Sequence, residues 1–277
     1  IMSYKAFGSN IYFLTVKGGK EVGNNENATN QTNYNITSVS KAFQLIDLLA
    51  PRNGQLSVQT MAKKLDVSPS SVIRLLQTMQ DAGYVEEKNS KSSPYILSNK
   101  FYRIANAMLS SNECVQKYLP VTYKVAEKFN AIVNINTLFE GNAIMLTRTA
   151  GHYSRTIDFL IGAKTPAYSG SAGKAMLSLL DDRVLDMFLK NIDFEQLQRN
   201  TITNSLQLRE ELQKIKKNGY ATDIEERILG VVSISFPILD SNARPHAFTV
   251  IMPVNRKKEL FMPSTIEYIR EKLTEAE

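Results

Sequence analysis

The chain has little of the chemistry that cross-links or catalyses. It holds one cysteine, Cys114, and two histidines, His152 and His246, among 277 residues. One thiol closes no intramolecular disulfide, and with two imidazoles it leaves too few soft ligands for a structural zinc site, so neither metal nor cofactor is expected. No apolar run approaches the roughly 18 residues of a membrane-spanning helix. The early "IYFLTV" is shorter than a signal-peptide core and has no small-residue cleavage site behind it. A reducing, cytoplasmic setting without a membrane partner is the expectation. What is present is 43% hydrophobic residues, enough to bury a core in one large domain or two ordinary ones.

The net charge of +6 is unevenly placed. Residues 36–109 carry nine Lys+Arg against five Asp+Glu, whereas residues 110–277 carry 21 against 20. A basic region on an otherwise balanced protein points to a polyanionic partner, although a solvated lysine-rich face would give the same count. Residues 1–35 end in "GNNENATNQTNYN", which has little to bury and reads as a tail without a stable fold. Its glycosylation patterns "NAT" and "NQT", and the "NIT" after them, are chance products of Asn-rich text.

From Thr37 the spacing of Val39, Ala42, Phe43, Ile46 and Leu49 is helical, with Thr37 or Ser38 placed to cap and "PRNG" at 51–54 as the stop. The stretch "LSVQTMAKKLDVSPSSVIRLLQTMQDAGYV" then gives a short helix from Ser57 to Leu65, a break at Asp66–Ser68 and a longer helix from Pro69 to Ala82, ended by Gly83. Ser57 and Ser68 are good N-caps, and Pro69 occupies the favoured first-turn position. Two helices joined by a tight turn form a helix-turn-helix. "GYVEEKNSKSSPYILS" adds a hairpin, or wing, with strands at Tyr84–Glu87 and Tyr95–Leu97. Phe101, Ile104, Ala105, Met108 and Leu109 then define a connecting helix over 100–114.

In the second helix of the motif Val72, Leu75, Leu76 and Met79 line the core face, and the small Ala62 suits a close helix crossing. The opposite face carries Pro69, Ser70, Ser71, Arg74, Gln77 and Thr78. Its hydroxyls suit phosphates or base edges, and Arg74 matches guanine O6 and N7. Such a face on an isolated helix is commonly just solvated. The ordered combination of capped helix, turn, longer helix, wing and positive charge favours double-stranded DNA as the partner. Lys63, Lys64, Lys88 and Lys91 are then candidates for phosphate contacts, and Ser57 and Ser68 complete the DNA-facing set.

Beyond residue 115 the pattern is α+β, an antiparallel sheet flanked by helices. Strands are expected near 131–138, 143–147, 155–160, 231–237 and 247–252, and helices near 119–128, 172–180, 206–218 and 263–274. "PAYSGSAGKAMLSLL" imitates a nucleotide-binding loop, but Tyr168 stands where its first glycine is needed and Ala175 where its magnesium-binding hydroxyl is needed. A helix start suited to a small anion remains, with Lys174 expected to point toward solvent or a neighbouring subunit. Asp223, Glu225 and Glu226 form a possible catalytic carboxylate cluster, which leaves a small-molecule enzyme as the alternative. Against it, no nucleophile/base pair is legible, and Glu225 and Glu226 are placed to pair or cap near Gly230.

"SVSKAFQLIDLLA", "YILSNKFYRIA", "GSAGKAMLS" and "GYATDIEERILGVVSISFPILD", together with the helix-turn-helix stretch, resemble the IclR family of bacterial transcription regulators from about Thr37 onward. The resemblance implies a winged helix-turn-helix over 36–99, a linker helix over 100–114, and a GAF-like domain over 115–277 that binds a small effector and builds a homodimer or a dimer of dimers. It places the effector among Ser154, Ile157, Ser171, Ala172, Asp223 and Ser233. On the last strand, where relatives that bind small keto acids tend to carry serines, this chain reads "FTVIMP" and Thr249 is the hydroxyl. A more apolar or aromatic carboxylic acid fits that change better than a pyruvate-like one.

Overall fold

A computed structural model describes residues 36–50, 56–88, 95–151 and 160–277, and these fall into two compact units that divide between Ser110 and Ser111. The tail over 1–35, Lys91, Ser154, Ile157 and most of the strand expected over 155–160 lie outside the described residues.

In the first unit α1 (Thr37–Leu49), α2 (Val58–Leu65) and α3 (Pro69–Asp81) enclose Leu45, Met61, Leu65, Val72 and Leu76. Ser57 Oγ accepts the Thr60 N–H and Ser68 Oγ accepts the Ser71 N–H, each at 3.2 Å, so both expected caps form. Asp66 ends α2 with φ +54°, which reverses the chain within three residues. The start of α1 is simpler than expected: Ile36 is its N-cap and no side chain caps it. The wing is β1 (Val85–Glu87) paired antiparallel with β2 (Tyr95–Leu97), Val85 opposite Leu97. Helix α4 (Lys100–Ser110) follows and has no buried residue. The connecting helix expected to reach residue 114 stops at Ser110. Asn112 then caps the next helix, accepting the Val115 N–H at 2.9 Å, so Cys114 belongs to the other unit.

The second unit begins with α5 (Glu113–Phe129), followed by β3 (Ile132–Phe139), β4 (Asn142–Met145), β5 (Thr149–Ala150) and β6 (Lys164–Pro166). Helices α6 (Ser171–Leu177), α7 (Asp182–Lys190) and α8 (Ser205–Asn218) come next, then β7 (Ala221–Ile224), β8 (Val231–Leu239) and β9 (Pro245–Pro253). A 3₁₀ turn, α9 (Lys257–Leu260) and α10 (Pro263–Thr274) close the chain. The sheet is antiparallel in the order β6-β4-β3-β9-β8-β7, with β5 added on β3. Glu140 and Gly141, both at positive φ, make the two-residue turn between β3 and β4.

Nearly every residue of β3, β8 and β9 is buried whichever face it points to, so the sheet is covered on both sides. One cluster packs Tyr168, Met176 and Leu177 against Leu185, Phe188, Leu208 and Leu212 from α7 and α8. Helix α6 reaches its seat through a glycine. A Cβ on Gly173 would lie 2.2 Å from the Ala167 carbonyl oxygen and 2.4 Å from its Cα. Gly173→Ala is expected to cost on the order of 3 kcal/mol because the obstacle is backbone; a denaturant midpoint unchanged by the substitution would refute that close approach.

Candidate functional site

On the first unit the outward face of α3 is a stripe of exposed residues, Ser70, Ile73, Arg74 and Gln77, flanked by Pro69, Ser71 and Thr78. It lies opposite the buried Val72, Leu76 and Met79, as a helical repeat of 3.6 requires. Ser68 Oγ touches the hydroxyls of Ser70 and Ser71 at 2.9 and 2.8 Å, and Thr78 Oγ1 donates to the Arg74 carbonyl. Ser57 and Ser68 are therefore engaged as caps. Lys63 and Lys64 are exposed in the last turn of α2, and Lys88 is exposed at the end of β1. Sequence reading passed over Ile73, an aliphatic side chain 38% exposed among polar neighbours; its place in the stripe was the available signal.

In the second unit a cleft of about 570 Å³, open solvent at its mouth included, is lined by residues from both sides of α6. Strand register explains its polarity. Asn134 of β3 lies opposite Thr249 of β9, and Thr249 opposite Ser235 of β8. Two residues along, on the same face, Ile251 lies opposite Ser233 and Ser233 opposite Asp223. The helix start then meets this face: Ser171 Oγ is 2.6 Å from Ser233 Oγ and 2.7 Å from Ser235 Oγ. Ser235 continues to Thr249 at 2.8 Å, and Asn136 Nδ2 donates to Thr249 Oγ1 at 3.0 Å. Buried hydroxyls are affordable only when paired in this way.

The structure thus brings Ser171, Ala172, Asp223, Ser233 and Thr249 around one cleft. It adds Asn134, Asn136 and Arg227, which sequence reading missed. The pattern was legible as "NIN" on β3 and "SIS" on β8: polar residues two apart share one face of a strand. Thr249 is not isolated, because Ser235 on the neighbouring strand supplies the next hydroxyl of the chain.

Below the cleft the three carboxylates have defined tasks. Asp223 Oδ1 accepts the Glu226 N–H at 2.8 Å, and Glu225 Oε1 accepts the Gly230 N–H at 2.8 Å, closing the loop that carries Arg227. Burial raises the Asp223 carboxyl above its usual range and depresses the Arg227 guanidinium. Lys174 does not point outward. It is fully buried, with Nζ 2.6 Å from both Glu226 oxygens and 3.9 Å from Glu211 of α8. Its position three residues after Ser171 keeps it on the packed side of α6, where its stem is covered and its ammonium ends on the loop after β7. Burial pushes the Glu226 carboxyl up to about 7 against the opposing pull of Lys174. Among the described residues no group of His, Cys, Asp and Glu is arranged to hold a metal, and no helix is long and apolar enough to cross a membrane.

A winged helix-turn-helix in one unit and a polar cleft in an α+β unit define a transcription regulator with a sensing domain. Residues 38–88 match the IclR helix-turn-helix domain, and residues 106–275 match the bacterial transcriptional regulator IclR C-terminal domain. The chain belongs to the IclR family of transcription regulators, not of enzymes. It is 27% identical over 205 residues to the regulator BhcR of Paracoccus denitrificans, covering 74% of this chain and 73% of that one. It is 25% identical over 232 residues to the transcriptional repressor IclR of Escherichia coli, covering 83% and 84%. Its fold matches an IclR homolog from Microbacterium hydrocarbonoxydans complexed with 4-hydroxybenzoate, with TM-score 0.73 and 16% identity over 87% of this chain and 97% of that one.

The Lys174–Glu226 pair sets a pH signature. With the folded carboxyl raised, the stability that neutral Glu226 contributes is complete below its unfolded value, 4.5, and is lost as pH rises through about 7. Lys174→Met is expected to cost about 3–5 kcal/mol at pH 8, where Glu226 must either stay charged without its partner or take up a proton on folding, and clearly less at pH 5. Chemical denaturation at the two pH values measures this, and equal losses would contradict it.

Proposed function

We propose that this regulator reads a pseudo-palindromic operator as a homodimer or a dimer of dimers and that a small organic acid in the cleft biases its DNA-bound arrangement. The domain assignment keeps DNA binding over 36–99 and moves the expected boundary at 114 back to the end of α4, giving a connector over 100–110 and effector binding with assembly over 111–277. Operator DNA as the partner places its action in the cytoplasm.

What supports the DNA half is the outward stripe of α3 in a basic region. Arg74 is suited to a guanine edge and Gln77 to an adenine, and Ile73 offers an aliphatic surface to a thymine methyl. Ser70, Ser71, Thr78 and Pro69 sit at the groove, with Ser57, Ser68, Lys63, Lys64, Lys88 and Lys91 toward the backbone phosphates. Two copies of α3 in a dimer would enter successive major grooves about one helical turn apart.

What supports the effector half is a cleft in which the Arg227 guanidinium stands beside Asp223 and a line of hydroxyls. Ser171, Ala172, Asp223, Ser233 and Thr249 would contact the acid, and the family resemblance adds Ser154 and Ile157, which lie outside the described residues. The fold relative bound to 4-hydroxybenzoate makes a hydroxylated aromatic acid the first compound to try. The ligand acts by preferring one arrangement of the DNA-binding units over another.

Arg74→Ala is expected to lose about 1–3 kcal/mol of base discrimination, and Lys88→Ala to weaken binding to every sequence alike while reducing the salt slope by about 1. Selection of DNA from a random pool, followed by salt-dependent titration of the two variants, separates these effects. DNA binding that Arg74→Ala leaves unchanged in sequence preference would sink the assignment of α3.

A further inference from the structure

One side chain on the polar face of the sheet is left out of its hydrogen-bond chain. Asn136, Thr249, Ser235, Ser171 and Ser233 satisfy one another in sequence. Asn134 is 1% exposed and lines the same cleft, yet its Oδ1 has no hydrogen-bond partner among the described residues. It stands directly across from Thr249 in the β3–β9 register, whose hydroxyl is already engaged by Asn136 and Ser235. A buried acceptor without a donor destabilises a fold, so its presence needs a compensating role. On β3 a hydrophobic residue at this position would have been the simpler solution, as at Val133 and Ile135 on the other face.

We propose that Asn134 is a specificity-determining residue of the effector cleft: its amide oxygen accepts a hydrogen bond from a hydroxyl on the ligand, so the regulator responds to hydroxylated organic acids and discriminates against their deoxy counterparts. The proposal rests on the effector-cleft reading above and narrows it to a ligand class. Three cleft groups fit that class together. Arg227 is a cation among the described lining residues and suits the acid group. Asp223 uses Oδ1 on the Glu226 N–H and offers its second oxygen to a further donor. Asn134 selects a hydroxyl on the side of the cleft formed by β3. A ligand without that hydroxyl leaves the amide oxygen unpaired in the complex, whereas a hydroxylated one adds a bond that the free protein lacks. The resulting preference is roughly tenfold in affinity, the order expected for one buried hydrogen bond.

The test uses the full chain, wild type and Asn134→Leu, which keeps the branching of the side chain but neither donates nor accepts. Asn134→Val, a smaller residue, guards against a packing failure of the leucine. Calorimetry and thermal shift are run with matched acids: 4-hydroxybenzoate and benzoate, lactate and propionate, 3-hydroxybutyrate and butyrate. The hydroxylated member of a binding pair is expected to bind wild type roughly tenfold more tightly, and both variants are expected to bring the pair within about twofold. Without ligand, at least one variant should unfold no lower than wild type, because an unpaired oxygen has been removed. Equal binding of both pair members to wild type, or a preference that survives in a well-folded variant, overturns the assignment of Asn134. Lower unfolding temperatures in both ligand-free variants would overturn it too, by showing that the amide has a structural task. Failure of every acid to bind would instead remove the organic-acid reading of the cleft, and this proposal with it.

Discussion

Polar groups can be buried on a sheet face only if each finds a partner there, and Ser171 is where that condition is met in this protein. Its hydroxyl lies between Ser233 and Ser235, which belong to the same strand two residues apart. Because both contacts are short, the start of α6 has one position over the sheet, and the cleft is the space left beside it. Gly173 makes that position reachable by letting the helix rest against the Ala167 backbone. The sheet face, the helix start and the cleft are consequences of one constraint, that Asn136 of β3, Ser233 and Ser235 of β8 and Thr249 of β9 find partners in one another and in Ser171 away from water.

The DNA-binding unit solves a different problem with fewer residues. Its core is small, built from Leu45, Met61, Leu65, Val72 and Leu76, and its helix ends are fixed by Ser57, Ser68 and the left-handed Asp66. Lys41 adds a bond from α1 to the Leu65 carbonyl at 2.5 Å, closing the end of α2 where the turn begins. With the inward face of α3 wholly committed to packing, its outward face is free to vary in chemistry at little cost to the fold. That separation leaves Ile73 and Arg74, adjacent in sequence to the buried Val72, facing outward.

Local rules carried much of this into view from the sequence. Caps, turn residues and 3.6-residue spacing are short-range, so Ser57, Ser68, Gly83 and the faces of α3 were legible without a structure. So was the α+β character of the remainder, because strand-like runs such as 231–237 and 247–252 are interspersed with helical stretches such as 206–218 and 263–274. The elements missed were mostly short ones, β5, β6 and β7 among them, which carry too few residues for a period to register; α7, nine residues capped by Asp181, was missed as well. Lys174 was misread because its burial depends on Glu226, some fifty residues later in the chain, and no local pattern announces a long-range ion pair. Asn134 was passed over for a similar reason: only the hydrogen-bond chain running across β3, β9 and β8 shows that, among the described residues, its Oδ1 stands outside it.

Glu226 has a wider consequence. Its backbone N–H holds Asp223, its carboxylate holds Lys174, and its carbonyl receives the Thr201 hydroxyl. The carboxylate at the cleft, the interior of α6 and the segment before α8 are thereby fastened to one residue, so the loss of Glu226 would loosen three parts of the domain together rather than one.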